Sequence, residues 1–396
     1  MKKRYLLLGT ALICSCMLTL SACSKRSVDN TKNVSAQGDI KEKEQTKENV
    51  EANIEKVVEP GYEDLEKFLD EEAANNRFQG VALVAEGDNI KFAKAYGYAD
   101  ADDKRENKLT TRFSIASNTK QFTAAAVMQL VEQNKINLDD TIDKYFPKYK
   151  YGNKITVKNL LQMRSGIPDY LNEIDVFMKD EETLKILKDY ENSSYFDKYV
   201  EDKRWSKDLI LKNLYLTELY FEPGEAYDYS NTNYYLLGLI IEEASGLSYE
   251  DYINKYIFKP AKMTTSSMEM ENLDAKGHGS DVSGEIAANP KFTYAAGDIH
   301  ANIFDMFRWS RMLHKGNIVS EKSYKEMTTP VDCYGYGLFI HDNIIRHSGC
   351  IDGFSSNTEY NVSNDTTIIV LENNGKTTGP LDAQYHTSLI NEVIEK

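Results

Sequence analysis

Strand patterns occur near both ends of the folded part of this 396-residue chain, and helical patterns fill the region between them. Two apolar runs, 80–86 and 90–98, are split by Gly87-Asp88, a pair typical of a β-hairpin. Further strand patterns lie at 334–340, 344–348, 354–361 and 366–371. The arrangement predicts an α+β fold, with an antiparallel sheet flanked by helices and a separate all-helical subdomain at roughly 156–270.

Helical periodicity predicts the remaining elements. The predicted helices are 62–75, 121–133, 156–163, 232–244, 248–258, 303–314 and 381–395. Residues 170–220 are charged and helical in pattern, without a strand signal, and are interpreted as the middle of the helical subdomain.

The first 23 residues have the pattern of an export signal, in which a basic start precedes an apolar run. The sequence Leu20-Ser21-Ala22-Cys23 resembles the lipobox of bacterial lipoproteins. Cys23 is therefore expected to be lipidated and to anchor the chain to the bacterial cell membrane, outside the cytoplasm. A plain secretory signal or an uncleaved anchor is the alternative.

Residues 24–58 are polar and contain almost no large apolar side chain, which predicts a disordered tether before a folded domain at 59–396. The formal net charge of −15 argues against a nucleic-acid partner. No His, Cys, Asp or Glu cluster has metal-ligand spacing, so neither a metal nor another cofactor is expected.

Two cysteines remain in the predicted domain, Cys333 and Cys350. A hairpin centred on 341–343 would bring them roughly opposite each other. A disulfide and two reduced thiols both remain open, because connectivity depends on geometry that the sequence does not give.

The stretch Ser117-Asn118-Thr119-Lys120 precedes the amphipathic helix at 121–133, with Ser117 as a residue of N-cap type. Positions i and i+3 share a helix face, so the Ser117 hydroxyl and the Lys120 amine can meet. Serine becomes a good nucleophile only beside a base, and lysine is a base only when it is neutral. The tetrapeptide alone also fits an ordinary capped helix.

Two further stretches contain candidate site residues. Tyr229-Ser230-Asn231 precedes the helix at 232–244, where the tyrosine could simply be buried and the asparagine could simply be a cap. His347-Ser348-Gly349 lies on a predicted strand, where the histidine could be solvated and the glycine suggests a close approach of backbone and ligand.

Together these stretches resemble the motifs of the serine penicillin-recognising enzymes. The similarity is to the branch that contains class C β-lactamases, D-alanyl-D-alanine carboxypeptidases and related serine esterases. Ser117-x-x-Lys120, Tyr229-x-Asn231 and His347-Ser348-Gly349 match its three motifs in order. Supporting similarity occurs at 160–168, at 221–224 and at 353–356, and the resemblance covers most of residues 60–395.

The resemblance implies a role for each residue. Ser117 would form an acyl-enzyme, Lys120 would take or relay its proton, and Tyr229 would pass the proton to the leaving group and later activate water. Asn231 would orient Lys120 and bind the substrate amide. The remaining implied contacts are substrate binding by His347, Ser348 and Gly349, and an oxyanion hole made by the backbone N–H groups of Ser117 and Cys350.

His347 departs from the lysine found in typical β-lactamases. Lysine gives a permanent positive charge for a substrate carboxylate, whereas a histidine with an ordinary pKa near 6.5 is charged only at lower pH. If His347 is the main carboxylate anchor, substrate affinity should weaken as pH rises. The departure favours a carboxypeptidase-like or esterase-like enzyme over an efficient β-lactamase.

The function predicted from the sequence is that of a serine acyl hydrolase acting on D-Ala-containing cell-wall material, in the manner of a D-alanyl-D-alanine carboxypeptidase. One alternative is an esterase, including one that acts on D-alanyl esters of teichoic acid, or a weak β-lactamase. The other alternative is not an enzyme but a penicillin-binding sensor or a wall-binding lipoprotein.

Overall fold

The computed structural model describes residues 51, 53–181, 206–269, 273–277, 293–316, 318–351, 353–374 and 382–396. They belong to one compact unit, Glu48–Lys396. The predicted signal sequence with Cys23, the tether up to residue 50, and residues 182–205 of the helical subdomain lie outside the described residues. In the described ranges, no helix combines the length and the apolar character needed to cross a membrane.

A seven-stranded antiparallel sheet forms the centre of the fold, in the order β1-β3-β2-β11-β10-β9-β8. Two small antiparallel ladders, β4 with β5 and β6 with β7, lie outside it. The strands are β1 (Lys56–Val58), β2 (Gly80–Glu86), β3 (Asn89–Tyr96), β4 (Tyr98–Asp100), β5 (Arg105–Glu106), β6 (Phe113–Ser114), β7 (His300–Ala301), β8 (Phe339–His341), β9 (Ile344–Ile351), β10 (Phe354–Asn361) and β11 (Thr366–Glu372). The predicted antiparallel sheet is confirmed.

The part of the chain that the structure describes contains ten α-helices of four or more residues. They are α1 (Glu63–Ala74), α2 (Thr119–Glu132), α3 (Val157–Leu161), α4 (Ile174–Phe177), α5 (Lys207–Leu214), α6 (Asn231–Ser245), α7 (Tyr249–Ile253), α8 (Ile303–His314), α9 (Glu321–Met327) and α10 (Asp382–Ile394). After α7 the chain continues through a π-helical turn, Asn254–Phe258, into a last α-turn, Lys259–Ala261. Helices α3 to α7 form the helical region between the two sheet-forming parts of the chain.

The two faces of the sheet bury different cores, because alternate side chains of a strand point to opposite faces. On β2, Val81 and Leu83 pack into the large core shared with α2 and the helical region. Ala82 and Val84 pack into a smaller core on the other face, which also contains Leu65 of α1 and side chains of α10. The sheet therefore supports α2 from one side and is closed by α1 and α10 on the other.

Several boundaries differ from the sequence-based predictions. Lys56–Val58 was assigned to the tether but forms the edge strand β1, paired with β3. Of the strand predicted at 334–340, only Phe339 and Ile340 belong to a strand, and the preceding residues form an isolated bridge at Tyr334 and a bend. Helix α9 was not predicted. This helix is short, and its charged residues leave no clear pattern of apolar side chains.

The structure shows whether Cys333 and Cys350 form a disulfide. Cys333 and Cys350 are both exposed, and neither forms a disulfide. The β8–β9 hairpin is centred at 342–343 as expected, with His341 paired to Ile344, but Cys333 precedes β8 in a turn. The cysteines are therefore not partners across the hairpin ladder.

Candidate active site

Ser117 lies in a 3-10 turn, Ala116–Asn118, that links β6 to α2. It is the one residue from Phe113 to Met128 that is not buried. Its side chain is therefore accessible, while its neighbours in the chain are packed in the core. The preceding Ala116 has φ +45°, a left-handed conformation that costs free energy for a residue other than glycine. The expectation that Ser117 caps α2 is wrong, since the N-cap is Asn118 and its side chain makes no capping hydrogen bond.

The nucleophile turn is fixed to the sheet through β10 and β9. Ser356 Oγ of β10 donates to the Ile115 carbonyl at 2.7 Å and accepts from Asn118 Nδ2 at 2.7 Å. A Cβ on Gly349 of β9 would lie 2.2 Å from the Ile115 oxygen and 2.8 Å from Ser117 N. The predicted close approach at Gly349 is therefore an approach to the backbone of the nucleophile turn.

Lys120 is fully buried and its amine has three hydrogen-bond partners. Nζ lies 3.0 Å from Ser117 Oγ, 2.8 Å from Asn231 Oδ1 and 2.8 Å from the Ala296 carbonyl oxygen. The last two groups only accept hydrogen bonds. A neutral amine can donate to both of them and keep its lone pair for the Ser117 hydroxyl, which is the arrangement a general base requires.

The electrostatics of the site also favour this neutral form. Burial of Lys120 lowers the pKa of its amine to about 7, and the negative charge of Asp169 opposes that shift. A lysine with a pKa near 7 has a large neutral fraction at physiological pH. The requirement for a desolvated lysine, predicted from the sequence, is thus met by the burial of this helix face.

Tyr229 brings a phenol to the same point from the helical region. The Lys120 amine lies 5.0 Å from the centre of its ring. Burial of the hydroxyl raises the pKa of Tyr229 above its ordinary value, and the interaction with the neighbouring Ser117 side chain opposes that shift. The tyrosine is therefore a neutral phenol at neutral pH, able to pass on a proton.

Asn231 connects Lys120 to a carboxylate. It is the first residue of α6, whose N-cap is Ser230, so its side chain is not a cap. Its Oδ1 accepts from Lys120, and its Nδ2 donates to Asp169 Oδ2 at 2.8 Å. Asp169 is itself held by Leu171 N at 2.8 Å and by Asn172 Nδ2 at 2.8 Å.

Backbone hydrogen bonds hold the Tyr229 segment against the segment that contains Asp169. Asp228 N donates to the Met163 carbonyl at 2.9 Å, and Gly224 N donates to the Arg164 carbonyl at 2.8 Å. Gly166 has φ +76°, and a Cβ there would lie 2.4 Å from the Phe221 oxygen. The supporting similarity at 160–168 and 221–224 thus corresponds to two segments that fix each other.

His347 is buried, and its two ring nitrogens already have partners. Nδ1 lies 2.6 Å from the Ser348 carbonyl oxygen, which can only accept, so Nδ1 carries the proton. Nε2 lies 3.2 Å from the Tyr334 hydroxyl, which must then donate. Burial, and next the charge of Lys120, lower the pKa of His347 to about 3. The expectation of a cation that forms as pH falls below 6.5 is therefore wrong.

The rest of the third motif lies on an open strand edge. Strand β8 pairs with β9 only as far as Arg346, which leaves His347 to Ile351 without a strand partner on that side among the described residues. Ser348 is half-buried and Cys350 is exposed. The backbone segments of the expected oxyanion donors, Ser117 and Cys350, adjoin each other where Gly349 meets the nucleophile turn.

Three groups at the site were not predicted from the sequence. Asp169, the Ala296 carbonyl and Tyr334 each contact a motif residue, but none belongs to a short motif. Asp169 directly follows the 160–168 segment, the one signal that could have indicated it. Among the residues that the structure describes, no group of three or more His, Cys, Asp or Glu side chains could hold a metal ion.

Comparison with known proteins gives the same grouping. The profile of the beta-lactamase family matches residues 65–390. Penicillin-binding protein 4* of Bacillus subtilis strain 168 is 30% identical over 357 residues, which cover 82% of this chain and 74% of the relative.

Solved structures share the fold. A penicillin-binding protein homologue from Pyrococcus abyssi, described as octameric, is 28% identical with a TM-score of 0.65 and covers 83% of this chain and 77% of its own. The D-amino acid amidase from Ochrobactrum anthropi SV3 is 24% identical with a TM-score of 0.68 and covers 85% and 97%. With the Ser117–Lys120–Tyr229 arrangement at its centre, the chain belongs to the beta-lactamase family of serine hydrolases.

Proposed function

We propose that this protein hydrolyses acyl donors that contain a D-amino acid, through an acyl-enzyme on Ser117. The observation that carries the proposal is the buried Lys120 amine, 3.0 Å from the Ser117 hydroxyl and anchored by two acceptors. This geometry supplies a nucleophile together with its base, which a protein that only binds would not need.

Acylation follows from the positions of the three side chains. Lys120 takes the Ser117 proton as Oγ attacks the substrate carbonyl, and the backbone N–H groups of Ser117 and Cys350 stabilise the oxyanion. The proton then passes from the lysine through the Tyr229 hydroxyl to the leaving group. The bond between carbonyl carbon and leaving group breaks, and the acyl group stays on Ser117.

Deacylation reverses the proton path. Water adds to the acyl carbonyl while its proton moves to Tyr229 and Lys120, and Ser117 Oγ regains a proton as it leaves. Asn231 and Asp169 keep the lysine in place through both halves. In this scheme Tyr229 acts as a neutral relay and Lys120 as the titrating base.

Support for the substrate class comes from the relatives. Similar proteins are named as a penicillin-binding protein and a D-amino acid amidase, and another structure with the same fold is called a D-stereospecific amidohydrolase. D-Ala-containing cell-wall material is therefore the proposed substrate. Two leaving groups fit this class: a terminal D-alanine, as for a D-alanyl-D-alanine carboxypeptidase, and an alcohol or amine, as for a D-alanyl esterase or amidase.

The test exposes purified protein to a chromogenic D-alanyl ester and to a fluorescent β-lactam. The expected result is ester hydrolysis that is lost in Ser117→Ala, with β-lactam label on Ser117 that is either retained or slowly released. Absence of both signals from folded protein would contradict the proposal and favour a binding-only role.

We also propose that the enzyme works outside the cytoplasm, anchored through lipid on Cys23. The support is the lipobox-like sequence that ends at this residue. Intact mass of the protein from membranes should show a diacylglyceryl-modified N-terminal cysteine, and Cys23→Ala should lose it. An unmodified chain that begins elsewhere would contradict this proposal.

A further inference from the structure

The position that carries a lysine in typical β-lactamases is electrically neutral here. His347 Nδ1 donates to the Ser348 carbonyl at 2.6 Å, and Nε2 accepts from Tyr334 at 3.2 Å. Both ring nitrogens are thus occupied within the protein, and the ring is almost completely removed from water. A positive charge is costly in such a place unless an opposite charge lies beside it.

The charged and titratable groups around His347 act in the same direction. Lys120 and Arg346 both lower the pKa of the ring by electrostatic repulsion. The tyrosines that face it, Tyr229 and Tyr334, are neutral phenols whose pKa values burial raises. Among the described residues, no carboxylate is one of the groups that shift the His347 pKa, so none of them compensates a positive ring.

Other cations near the third motif are engaged elsewhere in the part of the chain that the structure describes. Arg346 follows the alternation of β9 to the opposite face from His347, where its guanidinium meets Gln384 of α10. Arg164 Nη1 pairs with Asp332 at 2.5 Å, and Nη2 donates to the Gly224 carbonyl at 2.7 Å. Lys120 is the base itself.

A buried carboxylate also acts on the site. Asp169 is buried and interacts electrostatically with both Lys120 and Tyr229. When Lys120 is in its reactive neutral form, this carboxylate is no longer balanced by the amine. A substrate carboxylate would add a second negative charge to a partly desolvated site in which none of the cations discussed above is left to pair with it, which is unfavourable.

We infer that the leaving-group side of the site is built for acyl donors without a carboxylate, so that D-aminoacyl esters and amides are preferred over peptides that end in a free D-alanine. The inference rests on the proposed function and selects between its two leaving groups. His347 is the specificity-determining residue, and Tyr334 is the positioning residue that holds its ring.

The test compares two substrates that differ only in one charge: an N-acyl-D-alanyl-D-alanine and its C-terminal primary amide. A carboxylate that enters this site without a cationic partner pays a desolvation cost that the neutral amide does not, roughly ten- to a hundredfold in rate. The amide should therefore have a kcat/KM at least about tenfold above that of the acid. The ratio should stay constant from pH 5.5 to 8, because both substrates need the same form of Lys120.

Three variants at two positions of one hairpin sharpen the comparison. His347→Lys places an ammonium at the third motif and should move the acid-to-amide ratio by about tenfold or more toward the acid. His341→Lys adds the same charge at an exposed position of the same hairpin and should leave the ratio unchanged. His347→Asn keeps the position neutral and should keep the preference for the amide.

The possible outcomes distinguish a failure of the proposed function from a failure of the inference about the leaving group. If neither substrate acylates Ser117, the proposed function itself is overturned. If wild-type protein acylates faster with the acid, or if the ratio rises toward the acid as pH falls, the inference alone is overturned. The wild-type measurement decides even if His347→Lys fails to fold.

Discussion

Lys120 Nζ lies 3.0 Å from Ser117 Oγ, and the Lys120 side chain is fully buried. The two residues are three positions apart, so the end of one helix sets their spacing. The neighbours of the amine come from far away in the chain: Asn231 from α6 and the Ala296 carbonyl from the turn that precedes β7. The pair therefore acts as nucleophile and base only in the complete fold.

The first prediction is that the rate of the enzyme falls at acidic pH. Lys120 is a base only when deprotonated, and burial places its pKa at about 7. The kcat/KM for an N-acyl-D-alanyl ester, which is uncharged, should therefore rise about tenfold per pH unit below that value and level off above it. Measurement from pH 5 to 9 checks this, and a profile that is flat or falls across that range would contradict it.

The second prediction concerns Asp169. Its charge raises the pKa of Lys120, so Asp169→Asn should move the midpoint of the acid limb to lower pH. The plateau should fall roughly tenfold because Asn231 loses a charged acceptor. Asp342→Asn removes an equal charge from an exposed side chain and should leave the midpoint in place. A midpoint that moves up in Asp169→Asn would refute the assigned role.

The third prediction uses two glycines. In Gly349→Ala, the new Cβ would lie 2.2 Å from the Ile115 oxygen, so the nucleophile turn must shift. Activity should fall at least about a hundredfold, since small misplacements of reacting groups cost that much. Gly246 has φ +73° with no atom within 4 Å of an added Cβ. Gly246→Ala should cost about 1 kcal/mol of stability and leave kcat/KM unchanged.

Steady-state rates and urea unfolding of both glycine variants decide the matter. Equal losses of activity in the two proteins would show that general destabilisation, and not the contact at Ser117, is responsible.

The sequence predicted the parts of the site that local patterns encode. The motif residues Ser117, Lys120, Tyr229, Asn231 and Gly349 converge as expected, because each lies next to a helix start or on a strand with a clear pattern. The antiparallel sheet and helix α8 were likewise evident from alternation and periodicity.

What escaped prediction depends on contacts between distant segments. Asp169 and the Ala296 carbonyl matter only because the fold brings them to Asn231 and Lys120. The charge state of His347 was predicted wrongly because its burial and its Tyr334 partner are tertiary features. Strand β1 was missed because three residues at a sheet edge carry too little pattern, and their pairing with β3 decides their structure.

The fourth prediction concerns stability at low pH and uses His314. This half-buried ring stacks on Tyr360, and its Nδ1 lies 2.9 Å from the Tyr324 hydroxyl. Burial, followed by the charge of Arg311, lowers its pKa to about 3. Between pH 6.5 and 3 the unfolded chain binds a proton that the folded protein does not, so this contribution to stability is lost as pH falls.

A phenylalanine at position 314 cannot bind a proton in either the folded or the unfolded state. The stability difference between wild type and His314→Phe should therefore shift by about 2 kcal/mol toward the variant between pH 7.5 and pH 5. Urea unfolding at both pH values measures it. His341→Gln, at an exposed histidine, should show no comparable shift, and a constant difference for His314→Phe would contradict the prediction.

The most direct test of the central claim is the mass of the covalent adduct after brief exposure to a D-alanyl ester or a β-lactam. We predict one acyl adduct, located on Ser117, that is absent from Ser117→Ala and forms at least about a hundredfold more slowly in folded Lys120→Met. An adduct on another residue, or adduct formation at the wild-type rate without the Lys120 amine, would contradict the account.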